Sequence, residues 1–201
     1  MEILELGLPD CFLIKPKMLP DRRGCFYESF KQEALSERVG HPVTIAQVNY
    51  SVSRRGTLRG VHGTRVPPGQ AKFVSCLHGE VLDATVDLRV GSPTFGKHVS
   101  THLVAGEGTA VYMAEGLGHV FYALTDDVVM SYLCTTPYLP EIVVDINPLD
   151  PELGLSWDMS REPMMSEKDR NAPTLAEALA AGELPHYDDC VAMYEKLRAG
   201  R

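Results

Sequence analysis

The residues with the most chemical promise crowd into Ser53-Arg54-Arg55-Gly56-Thr57-Leu58-Arg59-Gly60-Val61-His62. An imidazole titrates near neutrality, so His62 suits proton abstraction at physiological pH. Arg59 beside it suits an anionic or oxyanion-bearing substrate, because a guanidinium fork matches phosphate and carboxylate oxygens. A lone strand histidine is still more often structural than catalytic, and Arg54 and Arg55 read as a solvated turn. Lys72 carries independent weight. Strand alternation puts it on one face with Val74 and Cys76, and an ammonium buried among apolar groups is expensive unless paired or used. Tyr132 shares a face with Met130 and Cys134, where its ordinary role is that of a satisfied core hydroxyl.

Metal chemistry fits less well. Gly116-Leu117-Gly118-His119 echoes the second histidine motif of metal-binding cupin barrels. The first motif needs a His-x-His pair, and here the chain reads His62-Gly63-Thr64. With one histidine missing and no carboxylate at the usual offset, a metal triad is not assembled, and no metal is expected.

The elements that must position these groups read as strands. Segments 45–53, 57–62, 71–77, 80–88, 109–114 and 127–134 are short and rich in Val, Tyr, Phe and Thr. Gly, Pro and Asp punctuate them, which predicts an all-β sandwich or barrel over about 40–140. In 45–53, Gln47, Asn49 and Ser51 share one face, and Val48, Tyr50 and Val52 the other. The polar faces either line a pocket between sheets or form the solvated side of one sheet. Residues 31–39 predict a helix. Four prolines make 137–165 a wrapping segment, Thr174 with Glu177 forms a capping-box pattern, Gly182 marks a helix stop, and a last helix is expected over about 188–199. One domain over 1–201 is expected, with the wrapping segment and helical tail over about 141–201.

Composition narrows the partners. Among 201 residues, 19 Lys and Arg face 27 Asp and Glu, a formal charge of −8. So acidic a chain is a poor binder of polymeric nucleic acid, although a local anion pocket remains open to it. No apolar run is long enough to span a bilayer, and the N-terminus MEILELGLPD lacks a signal-peptide pattern. Cys11, Cys25, Cys76, Cys134 and Cys190 form no C-x-x-C pair, which points to reduced thiols and a cytoplasmic location.

A series of motifs then occurs in order: Asp21-Arg22-Arg23-Gly24-Cys25-Phe26-Tyr27-Glu28, Gln47-Val48-Asn49, Leu58-Arg59-Gly60-Val61-His62, Pro68-Gly69-Gln70-Ala71-Lys72 and Gly79-Glu80-Val81-Leu82-Asp83. Val86-Asp87-Leu88-Arg89-Val90-Gly91-Ser92-Pro93, Gly118-His119, Met130-Ser131-Tyr132-Leu133-Cys134, Asp150-Pro151-Glu152-Leu153-Gly154 and Ser166-Glu167-Lys168-Asp169 follow. Over about residues 10–170 the series resembles the dTDP-4-dehydrorhamnose 3,5-epimerase family. The tail Ala172-Pro173-Thr174-Leu175-Ala176-Glu177-Ala178 is similar to the branch serving antibiotic deoxysugars.

The resemblance implies a cupin-like double-stranded β-helix (jelly roll) and a dTDP-4-keto-6-deoxyhexose substrate. The reaction would invert C3, C5 or both through an enolate, without a cofactor. It makes His62 the base, Asp169 its partner, Tyr132 the opposite acid and Lys72 the cation at the C4 oxygen; from pattern alone Asp169 is a surface residue. It makes Arg59 and Arg23 diphosphate ligands, with Lys168 a phosphate neighbour. Glu28, Gln47, Asn49 and His119 would bond the nucleoside and sugar, and Phe26 and Tyr138 sandwich the thymine. It also implies a homodimer whose Arg23, Phe26 and Glu28 complete the neighbouring subunit's site. The alternatives are a 3,4-ketoisomerase and a mono-epimerase on the same sugar. Three departures touch the cradle. Gly63 replaces an aromatic, which removes a pocket wall; Ser75 replaces a basic residue; and Ala114-Glu115 replaces Pro-Pro, which puts a carboxylate near the barrel mouth.

Overall fold

Residues 1–157 and 162–199 are described by a computed structural model. The chain opens with β1 (Glu2–Glu5), β2 (Cys11–Lys15), β3 (Leu19–Asp21), β4 (Gly24–Phe26) and helix α1 (Gln32–Val39). There follow β5 (Gln47–Ser53), β6 (Leu58–Thr64), β7 (Lys72–His78), β8 (Glu80–Asp87), β9 (His98–Val104), β10 (Ala110–Met113), β11 (Leu117–Ala123) and β12 (Val128–Cys134). After β13 (Val143–Asp145) come the helices α2 (Glu167–Arg170), α3 (Leu175–Ala180) and α4 (Tyr187–Ala199).

Two antiparallel sheets result, ordered β1-β2-β10-β7-β12-β5 and β13-β6-β11-β8-β9, with β3 and β4 forming a separate ribbon. Between the sheets, alternation delivers Val74, Val111, Phe121, Val128 and Met130 to one apolar core. The outer face of the first sheet packs Phe12, Phe73 and Tyr112 against Leu35 of α1 and Tyr194 of α4. Val61, Val86 and Val120 on the outer face of the second are covered by Leu153, Leu175 and Leu184 of the tail. The cover over these outer faces draws on α1 and on the C-terminal third of the chain, and the latter also carries Asp169.

The predicted helices are present. α1 stops at Gly40 with φ 82°, and Thr174 and Glu177 close the expected capping box on α3. The wrapping segment holds single 3₁₀ turns at Pro140–Ile142 and Pro151–Leu153; its residues 158–161 lie outside the described residues. Seven strands lie outside the expected segments: β1, β2, β3, β4, β9, β11 and β13. Every residue of Leu117–Ala123 is buried, so β11 shows no polar alternation to read. The sheets therefore run from Glu2 to Asp145 rather than over 40–140 alone. Among the described residues no helix is long and apolar enough to cross a membrane.

Candidate active site

At one end the space between the sheets stays open as a cavity of about 300 Å³. Asn49 and Ser51 of β5, His62 of β6, Lys72 of β7, His119 of β11 and Tyr132 of β12 all line it. Alternation explains most of this: Lys72 precedes inward-facing Val74 and Cys76, and Tyr132 follows inward-facing Met130. β5 is an edge strand that turns its polar face inward. Its apolar face is left out, with Tyr50 65% and Val52 66% exposed.

Arg59 and His62 are three residues apart, so a regular strand would aim them at opposite faces. The register between β6 and β11 slips: His119 pairs with His62, but Phe121 pairs with Arg59. This bulge rephases the strand, and both side chains line the cavity. It turns on Gly60, at φ 128°, where an added Cβ would lie 2.4 Å from the His119 carbonyl oxygen.

His62 Nε2 lies 2.7 Å from Asp169 Oδ1. Asp169 sits on the one-turn α2, whose cap Ser166 accepts the Asp169 backbone N–H through its hydroxyl at 3.0 Å. Burial pushes the Asp169 carboxyl up, yet the His62 bond and charge, with the Gly60 N–H and Ser166, hold it below the usual range. An ionised carboxylate only accepts, so Nε2 carries the hydrogen and Nδ1 keeps its lone pair.

Lys72 Nζ donates to the His62 carbonyl at 2.9 Å, leaving two ammonium hydrogens for a ligand. Burial depresses its pKa; Cys134 and Asp145 oppose that shift. The Tyr132 hydroxyl lies 2.9 Å from Ser51 Oγ, and burial pushes its pKa up to about 12. Its ring stands edge-on to His119, 5.8 Å between centroids. His119 Nε2 in turn bonds Asp83 Oδ2 at 2.5 Å, forming a second and wholly buried imidazole–carboxylate pair. Arg59 is braced by Nε on Ser53 Oγ at 3.0 Å and by the Val52 carbonyl at 3.3 Å.

A side cavity of about 160 Å³ shares His62, Gln70 and Lys72 with the main one and adds Tyr138 and Lys168. Gln47 accepts the Tyr138 backbone N–H at 2.9 Å and donates to Asn49 at 2.8 Å. Lys168 is ion-paired with Asp145 at 2.9 Å. Three expected ligands lie elsewhere. Arg23 is paired with Asp21 through Nε and Nη2 on the exposed β3–β4 ribbon, Phe26 is 66% exposed there, and Glu28 pairs with Lys31.

Gly63 lines the side cavity, and an added Cβ there would meet Leu88 Cδ1 at 2.9 Å. One expectation about the cradle is corrected: Glu115 is not at the mouth of the main cavity, but is 6% exposed and faces a separate cavity under α4. Ser75 shares the outward face with Phe73, so alternation turns it from the cavity.

Asp83, Asp145, Gln70, Phe121 and Cys134 belong to the site without having been singled out. Asp83 had a signal, being a carboxylate amid the apolar strand 80–88. Asp145, 3.8 Å from His62 Nε2, had none, because only the β13–β6 pairing brings it there. Among the described residues no group of three or more His, Cys, Asp and Glu side chains is arranged to hold a metal ion.

Comparison with known proteins gives a consistent result. The family model described as dTDP-4-dehydrorhamnose 3,5-epimerase matches residues 5–177. A dTDP-4-dehydro-6-deoxyglucose 3-epimerase from a Streptomyces species is 49% identical, over 90% of this chain and 93% of that protein. A dTDP-4-dehydrorhamnose 3,5-epimerase from Mycolicibacterium smegmatis is 45% identical over 98% of each. The crystal structure of ChmJ, a 3'-monoepimerase from Streptomyces bikiniensis in complex with dTDP-quinovose, superposes with a TM-score of 0.94 at 43% identity, covering 98% of this chain and 100% of that one.

Proposed function

The chain belongs to the dTDP-4-dehydrorhamnose 3,5-epimerase family, and from that membership we propose how its own residues carry the reaction. It is an epimerase of a dTDP-4-keto-6-deoxyhexose in deoxysugar biosynthesis. The 4-ketone acidifies the neighbouring C–H bonds. His62 Nδ1 takes the proton from C3, and the electron pair moves onto the C4 oxygen as an enolate. Lys72 donates to that oxygen, a contribution typically worth about 3–4 kcal/mol of barrier. Tyr132 returns a proton to C3 from the opposite face, and the ketone re-forms. The imidazolium and the tyrosinate are then reset by proton exchange with water.

The observation that carries this reading is the commitment of His62 Nε2 to Asp169 in a cavity that also presents Lys72 and Tyr132. Asp169 orients the ring and steadies its developing charge. Barrel and tail act as one domain, since the tail supplies Asp169 to a base on β6. His119, Gln47 and Asn49 bond the sugar and nucleoside, Arg59 and Lys168 face the diphosphate, and Tyr138 stacks on thymine.

Arg23, Phe26 and Glu28 serve the site of a second copy in a homodimer. Their exposed ribbon and the uncovered apolar face of β5 support this. Five free cysteines support a reducing, cytoplasmic setting. The tail and the Streptomyces relatives favour the antibiotic-sugar branch.

C3 is the carbon named for both kinds of relative, and it is the carbon assigned here. The test is NMR in deuterated water with dTDP-4-keto-6-deoxyglucose. Deuterium should enter at C3 with inversion while the carbonyl stays at C4. A displaced carbonyl, or no label at any ring carbon, would overturn the reading; label at C5 as well would make the enzyme a 3,5-epimerase.

A further inference from the structure

Away from the catalytic cavity, on the outer face of the first sheet, a second cavity of about 240 Å³ opens beneath α4. It shares no lining residue with the first. Two side chains more than nine-tenths buried face it with a polar atom that has no hydrogen-bond partner among the described residues: Glu115 Oε2 and the Tyr112 hydroxyl, at 6% and 1% residue exposure. Buried polar atoms are almost always satisfied, and leaving one alone costs about 1–3 kcal/mol. Two facing one cavity point to a ligand that supplies donors.

We propose that this cavity is a binding site for a small organic ammonium, whose N–H groups reach Glu115 Oε2 and the Tyr112 hydroxyl. The charge follows from the walls. Among the described residues no Lys or Arg lines the space, and the one basic residue there, His41, is stacked on Tyr194 with Nδ1 turned to the Pro42 carbonyl. Hydroxyls of Thr135 and Thr136 add acceptors. The organic body follows from the rest: Pro42, Val43, Pro68, Met193 and Leu197 form an apolar wall that a bare ion cannot use. A divalent metal would want more anionic or imidazole ligands than Glu115 and His41 provide.

The site is connected to the catalytic one. Thr135 Oγ1 donates to Glu115 Oε1 at 3.3 Å and accepts the Ala71 backbone N–H at 2.9 Å, next to Lys72. The proposal does not rest on the epimerase reading.

The test is saturation-transfer NMR of the full chain titrated with n-propylammonium chloride, with sodium chloride as control. Binding should saturate and should persist when dTDP is present in excess. In Glu115→Gln it should weaken at least about tenfold, and in Tyr112→Phe severalfold, with epimerase turnover retained in both. Ligand-free Glu115→Gln should melt higher than the parent, because a buried carboxylate with one unsatisfied oxygen is gone. Undiminished binding in Glu115→Gln, displacement by dTDP, an equal response to sodium chloride, or a lower melting point for that variant would each overturn the proposal.

Discussion

Asp169 and His62 are 107 residues apart in the chain and 2.7 Å apart in space, Oδ1 to Nε2. The contact joins the tail to the barrel and decides which ring nitrogen is free to act as a base. The Asp169→Asn variant keeps the shape but loses the charge that balances an imidazolium. It should lower kcat by about 10²–10⁴ with little change in KM, read by deuterium uptake at C3. Unchanged turnover would remove Asp169 from the mechanism.

The same pair sets a pH dependence. A carboxyl held below its ordinary value contributes stability that is complete above that value and is lost as pH falls through the depressed one. The melting-temperature gap between parent and Asp169→Asn should therefore be constant through neutral pH. It should close only below the ordinary aspartate value of 3.8. A gap that closed between pH 5 and 7 would mean the carboxylate is not held down by His62.

Tyr132, with its pKa pushed up to about 12, stays protonated at any pH at which the enzyme would be assayed. In Tyr132→Phe the base still works and the acid is gone. Epimerisation should fall by about 10²–10⁴ while His62-dependent exchange at C3 continues with retained configuration. If exchange and inversion fell together, the tyrosine would be serving the first proton transfer and not the second.

What the sequence made legible follows the reach of local pattern. Lys72 could be suspected from alternation alone, because the residues two and four further on are plainly core. Capping at Thr174 and the stop at Gly40 are local too, and α3 and α1 lie where expected. The β5 pattern was read correctly in phase but left the direction open, since on this edge strand the polar face is the inner one. Pairings made over long separations carried no local trace. His119 with Asp83, Asp145 beside His62 and the approach of Leu88 to Gly63 depend on which strands become neighbours. For Asp169 a family pattern was needed to outweigh the surface reading.

Lys72 predicts opposite trends in activity and stability. Its depressed pKa means that the folded state sheds this proton before the unfolded state does, so between the folded value and 10.5 its contribution to stability rises with pH. Over the same interval the enolate loses its cation and turnover should fall. Lys72→Met should follow both lines, with kcat lower by about 10²–10³ and a higher melting point. A variant that is inactive and also less stable would show that the ammonium–carbonyl bond to His62 outweighs its burial cost.

Gly60 carries the most geometry for its size. Its φ of 128° and the 2.4 Å and 2.6 Å approaches of a Cβ to the His119 carbonyl and Val120 Cα leave no room for alanine without moving backbone. Moving it undoes the bulge that lets Arg59 and His62 share a face, and the Gly60 N–H is also a donor to Asp169. Gly60→Ala should therefore cost on the order of 3 kcal/mol, or roughly 6–12 °C of melting temperature. Turnover should fall well beyond what the unfolded fraction explains. Gly56→Ala is the control: its φ of 81° carries strain, but its Cβ would meet only the Tyr122 hydroxyl, at 3.7 Å. It should lose stability without losing kcat. Equal kinetic losses in the two variants would mean that backbone strain over residues 56–60, rather than the rephasing of β6, governs the site.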